Sequence, residues 1–136
     1  MACTTILVGK KASYDGSTLI ARNDDSPSGV FTAKKMVVIK ENKQPKTYIS
    51  KISHVKIDLP EHSYRTIITP NVEKDEGVWA ASGINRFNVA MSATETITSN
   101  PLVLGADPLV TYDKKSNRVG GIGEEDLVYI ILPYIK

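Results

Sequence analysis

Over the first two thirds of the chain, apolar and β-branched residues come in short runs separated by turn-forming residues, the pattern of a β-rich unit with tight connections. Residues 4–9 are β-branched or apolar at consecutive positions, which predicts a strand buried on both faces. The polar stretch 10–17 contains the turn signal Asp15-Gly16 and leads into a second apolar run at 18–21, so the two runs should form a hairpin. With 10–17 as its loop, paired residues have numbers summing to about 27, which sets Thr5 opposite Arg22 and Cys3 near Asp24. Further strands are predicted at 35–40, 55–59, 64–68, 78–82 and 89–94, with Pro45, Pro60, Pro70 and Pro101 between or beyond them. Trp79 reads as a core anchor within its strand. Residues 99–123 carry Pro101, Gly105, Pro108, Gly120, Gly121 and Gly123 with no period, and predict a long loop with little regular structure.

The tail changes character. Glu124, Glu125 and Asp126 after Gly123 mark a helix start, because acidic side chains oppose the positive end of the helix dipole. Leu127, Ile130, Ile131 and Tyr134 then share one face, and Val128, Leu132 and Ile135 fill much of the remaining circumference, so the helix needs burial nearly all round. Pro133 should kink or divide it. An apolar helix with no apparent cover is a liability, from which we expect a piece of a longer protein or a homo-oligomer. The pattern as a whole is α+β, with strands ahead of one C-terminal helix.

Composition narrows the class without naming a chemistry. The chain has 136 residues, 41% of them hydrophobic and 24% charged, enough for one domain with a core. Its formal charge of +2 gives no footprint for nucleic acid or an anionic membrane. One cysteine rules out an internal disulfide, and with two histidines it makes a Cys/His zinc cage a poor reading. The opening residues lack the basic start and long apolar stretch of a secretory signal, and no run approaches the roughly 20 apolar residues of a membrane span. A cytoplasmic, soluble protein is expected.

Cys3 is the first candidate for chemistry. A lone cysteine at the head of a strand commonly behaves as a small hydrophobe. A thiol becomes a nucleophile as the thiolate, which needs a cation or base nearby, and the predicted hairpin brings Arg22 to it. If Met1 and Ala2 were removed, Cys3 would also carry a free α-amine, whose ordinary pKa of about 7.7–8.0 suits a general base. One residue would then hold nucleophile and base together. If Met1 stays, that nitrogen is a peptide nitrogen and cannot serve.

Several segments together resemble the cysteine dipeptidases of the dipeptidase A type. They are Cys3-Thr4-Thr5-Ile6-Leu7-Val8-Gly9-Lys10, Asp15-Gly16-Ser17-Thr18, Ala21-Arg22-Asn23-Asp24-Asp25, and Gly83-Ile84-Asn85 with Val89-Ala90-Met91-Ser92-Ala93-Thr94-Glu95-Thr96. Asn100-Pro101-Leu102-Val103-Leu104-Gly105-Ala106-Asp107-Pro108 and Gly121-Ile122-Gly123-Glu124-Glu125-Asp126-Leu127 extend the likeness along most of the chain. These dipeptidases belong to the N-terminal-nucleophile hydrolases, with penicillin V acylase and conjugated bile salt hydrolase as more distant relatives.

The resemblance implies an αββα sandwich of mostly antiparallel strands, of which residues 1–136 would be the N-terminal part of a single catalytic domain. It implies trimming to expose the cysteine, and hydrolysis of dipeptide substrates through an acyl-enzyme with no metal or organic cofactor. Carried over by position, Cys3 is the nucleophile, Arg22 the cation beside it, and Asp25 the carboxylate that holds the α-amine. Asp24 is the neighbour that a one-residue shift would exchange for Asp25. Without the cysteine, Arg22 and the two aspartates would read as a surface ion pair at a strand end. Asn85 matches a turn asparagine, and Thr94 stands where some acylases carry an asparagine. The remaining C-terminal part of the domain is the implied partner.

Two competing readings stand beside this one: an amidase or acylase of the same class acting on non-peptide amides, and a non-catalytic β-rich module with an inert core cysteine. Elsewhere, His54 and His62 flank Pro60 in a polar stretch and read as solvated residues. Gly120, Gly121 and Gly123 lack the Lys-Ser/Thr that follows a phosphate loop. Lys34 with Lys35, and Lys114 with Lys115, are short basic pairs without the aromatic interleaving of a nucleic-acid surface.

Overall fold

A computed structural model describes residues 3–24, 29, 31–73, 75, 77–93, 112–115, 118–119 and 124–136. Strands β1 (Thr4–Val8) and β2 (Leu19–Asn23) form an antiparallel hairpin in the expected register, with Thr5 opposite Arg22. Its loop turns at Asp15, whose carboxylate accepts from the Ser17 amide at 2.9 Å, and at Gly16, whose φ of 75° lies in the left-handed region that favours glycine.

The larger body is a four-stranded antiparallel sheet in the order β3 (Val37–Ile39), β6 (Thr66–Ile68), β7 (Ser82–Asn85), β8 (Ala90–Ser92). Registers align Val37, Ile68, Gly83 and Met91 in one row across it. Because side chains alternate along strands, that row lies on one face, and the helix α1 (Glu124–Ile131) with the 3-10 turn Leu132–Tyr134 covers it. Ile68, Ala80, Ala93, Val128 and Leu132 form the buried cluster, with Val37, Ile39 and Met91 packed against it.

Gly83 is needed here. A Cβ at that position would lie 2.6 Å from the Ile67 carbonyl oxygen and 2.8 Å from Leu132 Cδ2, so Leu132 packs into the space that the missing side chain leaves. Asn85, 4% exposed, fastens the same junction: its Nδ2 donates to the Leu132 and Ile135 carbonyls, and its Oδ1 accepts from the Phe87 and Val89 amides in the β7–β8 turn.

A second hairpin, β4 (Thr47–Ile49) with β5 (Lys56–Asp58), meets the start of α1. Tyr48 donates its hydroxyl hydrogen bond to Asp126, and its ring lies 5.5 Å from that of Tyr129. Asp126, 1% exposed, is therefore a buried acceptor as well as a first-turn acid. The short pair β9 (Tyr112–Asp113) and β10 (Arg118–Val119) falls in the stretch read as a long loop, whose other residues, Lys114 and Lys115 apart, lie outside those described.

The architecture is α+β, and every strand pair among the described residues is antiparallel. Four expectations need correction. First, β1 is not buried on both faces: Ile6 is 58% and Leu7 72% exposed, because the hairpin is a sheet of its own and no second layer lies over it among the described residues. Second, the helix is not bare. The chain end folds onto the sheet, where the Tyr64 amide donates to the Pro133 carbonyl at 2.7 Å. Third, the helix face deepest in the core is that of Val128 and Leu132, while Ile131 is exposed. Pro133 does divide the helix, ending α1 at Ile131 and opening the 3-10 turn. Fourth, the run 78–82 is not a strand. Trp79 adopts φ 41°, and the Ala81 amide donates back to the Trp79 carbonyl at 2.8 Å, so pairing starts only at Ser82 and Trp79 is half-buried.

Candidate active site

Cys3 stands just before β1 and Asp24 just after β2, so the hairpin register that pairs Thr5 with Arg22 returns the end of β2 to the chain start. The Cys3 thiol donates to Asp24 Oδ1 at 3.6 Å. Arg22 Nη2 donates to Cys3 Sγ at 3.4 Å and lies 3.4 Å from Asp24 Oδ1. Cys3 is buried, and the Arg22 side chain is only 3% exposed. Two charged groups on a small thiol in a partly dry setting interact far more strongly than the same charges in water.

The site is fixed to the main sheet through backbone carbonyls. Arg22 Nη1 donates to the Ala81 carbonyl at 3.3 Å, and Lys34 Nζ donates to the Trp79 carbonyl at 3.0 Å. Lys34 also reaches Asp24 Oδ2 at 2.8 Å. A side-chain hydrogen bond of 2.9 Å between Thr5 and Ser92 ties β1 to β8 beside them. Burial pushes the Asp24 carboxyl up, but the hydrogen bond and charge of Lys34, followed by those of Arg22, outweigh it and hold Asp24 below the ordinary carboxylate value.

Of the residues singled out from sequence, Cys3 and Arg22 meet here, and Asp24 meets them. Asp25 and Thr94 lie outside the described residues, as do Met1, Ala2 and Gly120 to Gly123. Asn85 serves the turn and the helix junction. His54 is half-buried and His62 exposed. Among the described residues no group of three or more His, Cys, Asp or Glu could hold a metal ion, and no helix is long and apolar enough to cross a membrane. A cavity of about 410 Å³ lined by Val37, Ile39, Ile68 and Tyr129 lies on the helix side of the sheet, and neither Cys3 nor Arg22 lines it.

In the sequence Lys34 is one of a short basic pair with Lys35. It precedes β3 and reaches the site through a long-range ladder: its bridge to Asn71 continues the β3–β6 register, with the Lys35 amide donating to Pro70 and the Val72 amide to Ala33. Nothing local in the sequence announces that pairing.

A thiol with a buried guanidinium and a carboxylate beside it is an arrangement in which a cysteine can be recruited for chemistry rather than packing. Residues 2–136 match the model of Peptidase family C69, and the chain belongs to that family. It is 54% identical to a dipeptidase of Bifidobacterium longum, 55% to a probable dipeptidase A of Streptococcus pyogenes serotype M3 and 52% to a probable dipeptidase B of Lactococcus lactis. Those matches cover 99–100% of this chain but 26–28% of each relative, so the chain spans about a quarter of their length.

Proposed function

We propose that the chain is the N-terminal part of the catalytic domain of a cysteine dipeptidase with the αββα sandwich of the N-terminal-nucleophile hydrolases. The observation that carries this reading is the Arg22 guanidinium donating to Cys3 Sγ at 3.4 Å at the head of β1. Membership of a peptidase family and relatives named as dipeptidases support the reaction and the substrate class. The inert-cysteine alternative is less well supported, because among the described residues the Cys3 sulfur is hydrogen-bonded to Arg22 and Asp24 and stands outside the buried apolar cluster.

After loss of Met1 and Ala2, the α-amine of Cys3 takes the thiol proton and the sulfur attacks the dipeptide carbonyl carbon. The carbon–nitrogen bond breaks, the proton passes to the leaving amine, and a thioester remains on Cys3. Water, deprotonated by the same amine, then hydrolyses the thioester and returns the thiol. Arg22 stabilises negative charge at the sulfur. Asp25 is proposed to orient the amine. The rest of the catalytic domain supplies the remaining pocket and oxyanion residues, which leaves the 136-residue chain inactive by itself. A reducing compartment such as the cytoplasm keeps the thiol free.

The test is Cys3→Ala in the full-length protein, assayed on a panel of dipeptides and acyl amides, with intact mass giving the mature N-terminus. Loss of dipeptide hydrolysis by at least about 10³-fold is expected. Hydrolysis that survives in pure Cys3→Ala protein overturns the reading, and turnover of acyl amides in preference to dipeptides moves it to an acylase.

A further inference from the structure

We propose that Lys34 is a positioning residue for Cys3: it binds the outer oxygen of Asp24 and cancels its charge, so that the Arg22 guanidinium stays on the sulfur. This rests on Cys3 being the nucleophile.

Asp24 is a hazard as well as a support. Its Oδ1 lies 3.6 Å from the sulfur, so as an anion it repels the thiolate that catalysis requires. It also competes for Arg22, whose Nη2 stands 3.4 Å from both Cys3 Sγ and Asp24 Oδ1. Among the described residues, the charged side chains linked to the sulfur directly or through Asp24 are two cations, Arg22 and Lys34, and one anion, with Lys34 at 2.8 Å from Oδ2. Without Lys34 the Asp24 carboxylate loses that cation and draws the guanidinium away from the sulfur.

Lys34 is held in place by structure rather than by the ion pair alone. Its backbone is zipped to 70–72 on both sides, and its ammonium also donates to the Trp79 carbonyl at 3.0 Å. Trp79 adopts φ 41°, a conformation that side-chain-bearing residues rarely take up. Two residues further on, the Ala81 carbonyl receives Arg22 Nη1. Both cations therefore hang from one short backbone segment, which sets their spacing and leaves Asp24 between them.

The experiment uses full-length protein carrying Lys34→Met, Lys34→Arg, or Lys34→Met together with Asp24→Asn. Two quantities are read: the rate at which iodoacetamide alkylates Cys3 at neutral pH, followed by intact mass, and kcat and KM on a dipeptide. Lys34→Met should slow alkylation by about tenfold, as expected for one charge removed near a thiolate, and lower kcat by a similar factor with little change in KM. Lys34→Arg should recover most of both. The double variant should recover alkylation, because Arg22 then faces the sulfur with no competing carboxylate; a merely misfolded single variant would not be rescued by losing a second polar group. Wild-type alkylation in Lys34→Met, no recovery with arginine, or a double variant as slow as the single one overturns the proposal. Alkylation is read without turnover, so it stands apart from the dipeptidase reading, whose own failure would show as activity in Cys3→Ala.

Discussion

The helix-covered sheet and the β1–β2 hairpin are both antiparallel and both rich in β-branched residues, yet they hold together by different means. On the helix side of the sheet, Ile68 is 2% exposed and Val128 and Leu132 are fully buried. On the hairpin, Ile6, Leu7 and Leu19 are all more than half exposed, and what fastens the hairpin to the sheet is polar: the Thr5–Ser92 hydrogen bond, the Arg22–Ala81 contact and the Lys34–Asp24 pair. Apolar packing is selected by shape and has little directionality, whereas hydrogen bonds fix the direction of each donor and acceptor as well as its distance. The candidate site lies in the half joined by polar contacts. Stability is concentrated in one region and positioning in the other, with the 79–81 backbone as the link.

Removing the centre of the packed region should have the largest effect. Leu132 is wholly buried over Gly83, and Leu132→Ala should lower unfolding free energy by about 2–5 kcal/mol in chemical denaturation, since a cavity is left as well as a lost transfer term. A loss below about 1 kcal/mol would mean that the helix is not the cover of this sheet.

The reverse error, adding atoms, should cost less. Gly83→Ala places a methyl 2.6 Å from a backbone oxygen and 2.8 Å from Leu132 Cδ2, and one of these neighbours must move. Because Leu132 can shift and the carbonyl cannot easily do so, a destabilisation of about 1–3 kcal/mol is expected. Leu132→Ala in the same chain should relieve part of it, so that the two changes are less than additive in a double-mutant cycle.

The same contrast explains what could be read from the sequence. The hairpin was legible down to its register, because the Asp15-Gly16 turn and the apolar runs on either side are local signals, and the pairing of Thr5 with Arg22 follows from them. Strand centres at 37–39, 56–58, 66–68 and 90–92 were legible for the same reason. The run 78–82 has the sequence of a strand without being one, because Val78, Ala80 and Ala81 are apolar in a turn as they would be in a strand; the left-handed Trp79 leaves no mark on composition. The tail was legible as a helix divided at Pro133, but not in its orientation: a helix apolar on nearly all sides has no period to choose a face, and the vacancy over Gly83 chooses Leu132. Lys34 was illegible because a ladder between residues 33–35 and 70–72 brings it to Asp24.

The hairpin offers the smallest and most discriminating change. Leu7 is 72% exposed, and Leu7→Ser in the 136-residue chain should alter stability by no more than about 0.5 kcal/mol, as for other exposed sites. In the full-length protein the proposed remainder of the catalytic domain covers this hairpin, and the same substitution should then cost about 2 kcal/mol, the ordinary value of burying a leucine side chain. The two measurements together separate an intrinsically bare hairpin from one whose second layer comes from elsewhere in the protein. A large loss in the short chain would mean that Leu7 is already packed there, whereas a small loss in both would mean that the hairpin faces solvent throughout and that its polar ties to the sheet suffice to hold Cys3 in place.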